Sequence, residues 1–113
     1  MSDRPAWIAN ISDVAAPIAR TERIPFRFAF KHGTLEAGVY TLGAADNQTP
    51  HTRDEAYIVI SGSGTFFQDG VRAAFAPGDF IFVPAHAEHC FENYTPDLAV
   101  WVLFYGAEGG EAP

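Results

Sequence analysis

One histidine and one glutamate stand four residues apart in "QTPHTRDEAYIVISGSG", residues 48–64, where a polar loop runs into β-branched and aromatic residues. Imidazole nitrogen and carboxylate oxygen are both donors to a divalent transition metal. Whether His51 and Glu55 can share an ion is a question of backbone geometry. On a straight strand they would lie on one face but roughly 13 Å apart, at about 3.3 Å per residue. Ligands of one ion need bonds of roughly 2 Å each, so a straight strand cannot serve. A helix would bring positions four apart together, but Pro50 and the run "YIVI" oppose one. There remains a tight turn through Thr52, Arg53 and Asp54, ending one strand at His51 and starting the next at Glu55. A metal here predicts a hairpin at "HTRDE". Taken alone, such a pair is more often a solvated turn than a site.

The elements that would position this pair read as β throughout. "IPFRFAF" and "TLEAGVYTL" alternate apolar with polar or small residues. From Glu55 onward turn signals come every few residues. "EAYIVI" ends at "SGSG", "TFFQ" at "DG", "VRAAF" at "APGD", "FIFV" at "PAHA", and "EHCFEN" at "YTPD". The Asp69-Gly70 step is the strongest short hairpin cue. "LAVWVLFY" then closes on "GAEGGEAP". Before Arg23 a short helical turn after Ser12 or Asp13 is expected, and Pro17 argues against a long helix. Eight or nine short strands without a clear helix predict an all-β sandwich or barrel.

Composition narrows the function classes. The 113 residues make one domain, 48% of them hydrophobic and ten of them Phe, enough for a core without disulfides. Cys90 is the single cysteine, so no disulfide closes within the chain, which fits a reducing cytoplasm. Seven basic residues against fourteen acidic ones give a net charge of −7. That surface repels phosphate backbones and anionic lipids, so neither nucleic acid nor a membrane is expected as a partner. No Gly-x-Ser-x-Gly elbow occurs, and no Gly-rich phosphate loop with lysine, the one lysine being Lys31.

The spacing of two segments resembles the cupin superfamily, small β-barrels carrying two conserved motifs. Gly43, Glu55 and Gly62 fall in register with the first motif, with His51 in its second histidine slot and Thr49 in its first. Gly78, Pro84, His89 and Asn93 match the second motif, with His86 in a glycine slot. The resemblance implies a double-stranded β-helix, or jelly-roll barrel, over residues 24–106. Residues 1–23 would form an N-terminal extension packing on the barrel or a partner subunit, and 107–113 a flexible acidic tail.

The resemblance also implies a metal site of His51, Glu55 and His89, for one divalent transition metal: Fe, Mn, Ni, Co or Zn. Gln48 is a candidate fourth ligand through its amide oxygen, and His86 is a weaker one. Strand alternation puts Tyr57 and Val59 on the Glu55 side, and Phe91 and Asn93 on the His89 side, as pocket walls, with His86 at the rim. Cys90 would face away from His89 as a small packed hydrophobe. His32 is expected in a turn. The function so implied is a metal-dependent enzyme acting on a small oxygenated organic molecule. Dioxygenase (an oxidoreductase), isomerase and lyase chemistry are all open. The alternative is a non-catalytic binding or sensor barrel, with Thr49 marking a degenerate metal site. A homodimer is expected, because "IPFRFAF" and "LAVWVLFY" offer more apolar edge than a monomer should leave uncovered.

Overall fold

A computed structural model describes residues 4–43, 46 and 48–112. Among these, eight strands and one short helix form. They are α1 (Ile11–Ala15), β1 (Phe26–His32), β2 (Leu35–Thr41), β3 (Asp54–Ser61), β4 (Gly64–Gln68), β5 (Val71–Phe75), β6 (Phe80–Val83), β7 (His89–Glu92) and β8 (Ala99–Tyr105). All the strand pairs are antiparallel. A five-stranded sheet has the order β1-β2-β8-β3-β6, and a three-stranded sheet the order β5-β4-β7. This all-β jelly-roll is the expected fold. No helix among the described residues is long and apolar enough to cross a membrane.

The turns follow from local chemistry. Asp69 and Gly70 both take positive φ, 45° and 86°, the two-residue hairpin geometry that matches strand twist. Helix α1 begins at Ile11, two or three residues earlier than expected, because the Asn10 side chain accepts a bond from the Ser12 amide and caps it. Gly62 sits at φ 91°, and a Cβ there would meet Leu98 Cα at 2.6 Å. Only glycine lets β3 turn so close to the approach of β8.

Between the sheets lies a core of Tyr40, Leu42, Tyr57, Val59, Phe66, Phe75, Val83, Phe91, Leu98, Val100 and Val102. Phe91 is its hub. Its ring meets Phe66 at 4.9 Å, Tyr57 at 5.0 Å and Phe75 at 5.3 Å, all near edge-to-face, so one aromatic ties residues of both sheets. Truncating a fully buried member such as Leu42 to Ala should cost about 2–5 kcal/mol.

The outer face of the large sheet is divided. Val39 points away from this core yet is fully buried, and α1 packs against β1 and β2 there. The part over β8, β3 and β6 is open. Cross-strand registers align Trp101, Ile58 and Phe80 in one row and Leu103, Ala56 and Phe82 in the next. Strand β8 is thus central, not an edge as its apolar run suggested; β1 and β6 are the edges.

Candidate metal centre

Glu55 is the second residue of β3, registered between Phe104 of β8 and Val83 of β6, and it is 1% exposed. His89 opens β7 in the other sheet, opposite Gln68, and is also buried. His51 comes from the loop before β3. The three meet. His51 Nε2 lies 2.7 Å from Glu55 Oε1, and His89 Nε2 lies 3.3 Å from the same oxygen. One ligand atom from each falls within 4.8 Å of the others.

The turn that achieves this differs from the expected hairpin. No strand ends at His51; residues 48–51 are irregular, the chain bends at Thr52 and Arg53, and β3 starts at Asp54. Other contacts hold the loop in place of a ladder. Arg53 bonds Glu36 at 2.7 Å, the Gly109 amide donates to Thr52 O at 2.6 Å, and the Thr52 hydroxyl bonds Glu108. Asp54 accepts from the amides of Ala85 and Glu111 at 2.9 and 2.7 Å.

The hydrogen-bond pattern assigns the imidazole tautomers. His89 Nδ1 is 2.9 Å from Ala87 O, and His51 Nδ1 is 3.1 Å from Arg53 O. A backbone carbonyl only accepts, so each Nδ1 carries the hydrogen, and a neutral ring then has its lone pair at Nε2. Both Nε2 atoms face one buried carboxylate oxygen, and His51 Nε2, at 2.7 Å, is within hydrogen-bond distance of it. Two ring nitrogens this close to one buried carboxylate oxygen require positive charge between them, as protons or as a metal ion. His89 Nε2 is a buried atom with no aligned hydrogen-bond partner, 3.3 Å from Glu55 Oε1. The ionisation follows the same logic. Burial by itself would raise the Glu55 carboxyl, but the two imidazoles beside it outweigh burial and hold it below the usual range. Burial would likewise lower His89, yet the Glu55 carboxylate and the Ala87 carbonyl leave it raised. The residues fit a divalent transition metal: two imidazoles, one carboxylate, and carbonyls that orient the rings.

Behind Glu55 runs a polar chain that the sequence did not announce. The Tyr57 hydroxyl donates to Gln48 Oε1 at 2.6 Å, and Gln48 Nε2 donates to Asp46 Oδ2 at 2.9 Å. Asp46 also accepts from the Tyr40 hydroxyl, the Gln48 amide and the Phe91 amide. Burial first, and then the Glu55 and Asp46 carboxylates, push the Tyr57 phenol well up; burial and Asp46 do the same to Tyr40. Both stay protonated donors at neutral pH. Gln48 thus has its amide held at both ends, with one lone pair of Oε1 uncommitted.

Several expected wall residues stand elsewhere. A cavity of about 200 Å³ beside Glu55 is lined by Ile24, Phe26, Tyr40, Gln48, Thr49, Val102 and Phe104. Tyr57, Val59 and Phe91 are instead packed into the core. Asn93 is exposed at φ 49°, because β7 ends at Glu92 and alternation stops there. His86 is also exposed, at φ 69°, which accounts for glycine being favoured in that slot. Its backbone amide, not its ring, serves the site by donating to His51 O at 2.7 Å. His32 ends β1, exposed. Cys90 is half-buried, and burial and then Glu92 raise its thiol, so it is not an activated nucleophile. The signal for Tyr40 and Phe104 was available: they alternate in step with Leu42 and with Val102 and Val100 on inward faces. For Asp46 there was none.

The cupin domain family matches residues 38–105, and the chain belongs to that family. An uncharacterised protein of Streptomyces coelicolor is 36% identical over 72 residues, 62% of this chain and 69% of that one. Mannose-1-phosphate guanylyltransferase of Escherichia coli is 31% identical over 67 residues, 59% of this chain but only 13% of the relative. Among solved structures, a Cupin 2 conserved barrel domain protein of Salinispora arenicola superposes with a TM-score of 0.68 over 88% of each chain, at 17% identity. That likeness is one of fold.

Proposed function

We propose that this chain is a metal-dependent cupin enzyme acting on a small oxygenated organic molecule. The observation that carries the reading is the convergence of two carbonyl-oriented imidazole Nε2 atoms on one buried carboxylate, beside an apolar cavity. His51, His89 and Glu55 would hold one divalent ion. Bound there, such an ion supplies Lewis acidity toward a carbonyl, enol or carboxylate oxygen. The chain does the rest. The Ala87 and Arg53 carbonyls keep both imidazoles in the ligating tautomer. Ile24, Phe26, Val102 and Phe104 exclude water and seat the substrate body. Asp46 and Tyr57 fix the Gln48 amide at the cavity wall.

The test is metal uptake followed by equilibrium dialysis. The protein should take up one equivalent of Co(II) or Zn(II), and the isosteric Glu55→Gln variant should lose it while keeping its fold. If the wild type takes up none of Fe(II), Mn(II), Co(II), Ni(II) or Zn(II), the reading fails. Thr49 in the first histidine slot supports a second reading, a non-catalytic binding barrel. Stoichiometric ligand binding by the loaded protein without turnover would select it.

A second copy of this chain is the partner proposed for the open sheet face. Phe80, Phe82 and Ile60 are 64%, 45% and 42% exposed there, and Trp101, Ile58 and Leu103 fill the same face. Six large apolar side chains can form the centre of a standard interface of about 800 Å² per partner. None carries charge, so two copies at −7 each can approach here without opposing like charges in the contact.

A further inference from the structure

The lining of the cavity beside Glu55 restricts what it can hold. At about 200 Å³ it is smaller than pockets for drug-sized ligands, which start at about 300 Å³. Among the described residues, Ile24, Phe26, Val102 and Phe104 make most of its wall, and no lysine or arginine lines it. Two arginines approach wall residues without lining the cavity: Arg53 lies 5.9 Å from the Phe104 ring and is bound to Glu36 at 2.7 Å, and Arg27 bonds Phe26 O at 2.8 Å and is paired with Glu22 at 3.1 Å.

Most polar groups on the wall are also engaged. Tyr40 donates its hydrogen to Asp46 at 2.9 Å. Gln48 donates one Nε2 hydrogen and its backbone N–H to Asp46, and its Oε1 accepts from Tyr57. Glu55 faces the two imidazoles. Among the described lining residues, the hydroxyl of Thr49 is the remaining polar side chain. A phosphate dianion entering this space would meet no counter-charge beyond an ion at Glu55, and Glu55 and Asp46 would repel it. A sugar would bury several hydroxyls with no partners, each losing roughly tenfold in affinity.

Resting on the metal reading above, we propose that the site takes a small ligand with an aliphatic or aromatic body and a single chelating oxygen pair at one end. An α-keto acid, an α-hydroxy acid or an enolised 1,2-dicarbonyl has this form. Sugar phosphates and other polyanions are rejected. The chelating end lies toward His51, Glu55 and His89, and the hydrocarbon body packs on Phe26, Val102 and Phe104 with Ile24 at the mouth, where it is 61% exposed.

The experiment uses full-length protein loaded with one equivalent of Co(II), whose visible bands report on coordination. It is titrated with 4-methyl-2-oxopentanoate and, separately, with mannose 6-phosphate. The keto acid should shift the bands and bind at least about tenfold more tightly than the sugar phosphate. Ile24→Asp, at an exposed position, should weaken the keto acid about tenfold and leave Co(II) affinity unchanged. Equal or tighter binding of mannose 6-phosphate overturns the proposal, as does the absence of any band shift with the keto acid, or an Ile24→Asp variant that binds it normally. Each of these leaves the metal reading standing. Failure to take up Co(II) at all is a different result, and it removes the metal reading and this proposal together.

Discussion

The two histidines at the centre do the same job on unlike supports. Each donates Nδ1–H to a carbonyl two residues away, Ala87 for His89 and Arg53 for His51, and each turns Nε2 to Glu55. His89 sits on a strand in a ladder, its side chain fully buried between the sheets. His51 sits in an irregular loop with its side chain 25% exposed. The loop is positioned by residues far away in sequence: Glu36 through Arg53, and Glu108, Gly109 and Glu111 of the C-terminal segment through Thr52 and Asp54. One arm of the site is therefore set by the barrel core and the other by a clamp laid over it. That makes the His89 arm costly to disturb, and the His51 arm adjustable.

The largest effect should come from the rigid arm. His89→Ala is expected to weaken metal binding by at least about 100-fold and to lower stability by about 2 kcal/mol, since it also opens a hole in the core. His51→Ala should lose metal comparably at less than about 1 kcal/mol in stability. Calorimetric titration with Zn(II) beside urea denaturation separates the two, and equal stability losses would break the distinction.

Next in size is the open sheet face. Phe80→Glu should convert a dimer to a monomer in sedimentation at micromolar concentration while metal uptake is unchanged. A wild type already monomeric at that concentration would remove the proposed partner.

Deleting residues 107–113 tests the clamp directly. Metal affinity should fall about tenfold, the scale of losing partners that orient a ligand, with His89 signals unmoved in NMR spectra. Unaltered affinity would show that the Arg53–Glu36 pair suffices.

The clamp should also respond to acid. The Glu111 amide first, and then Ala85, hold the Asp54 carboxyl below its ordinary value against burial. A group depressed on folding contributes stability above its unfolded pKa, and that stability is lost as pH falls through the folded value. The Glu111 amide resonance should therefore move toward its unfolded position only below about pH 4. Asp54→Asn should loosen it at neutral pH.

The smallest effect concerns His86. Its left-handed backbone strains a side-chain-bearing residue, so His86→Gly should stabilise by no more than about 1 kcal/mol in urea, Gly's greater unfolded-state freedom offsetting part of the relief.

Much of this molecule was legible in the chain. "VRAAF" and "FIFV" match β5 and β6 residue for residue, because turn residues bound them on both sides. Asp69-Gly70 specified its own hairpin. The resemblance to the cupin motifs implied His51, Glu55 and His89 as a set, and these three do meet. Alternation failed where strands end, as at Asn93, and it could not tell a side chain that seals the core, such as Tyr57, from one that borders a cavity, such as Tyr40.

By itself, then, the sequence determined the strands, the turns and the identity of the candidate donors. Strands and turns depend on local backbone preference, and the donors were singled out by the match to the two cupin motifs. Tertiary structure alone decided where the cavity lies, which atom of each imidazole faces Glu55, and what holds His51 in reach. Those depend on contacts across long separations, Asp46 to Phe91 and Glu111 to Asp54, that no local pattern encodes.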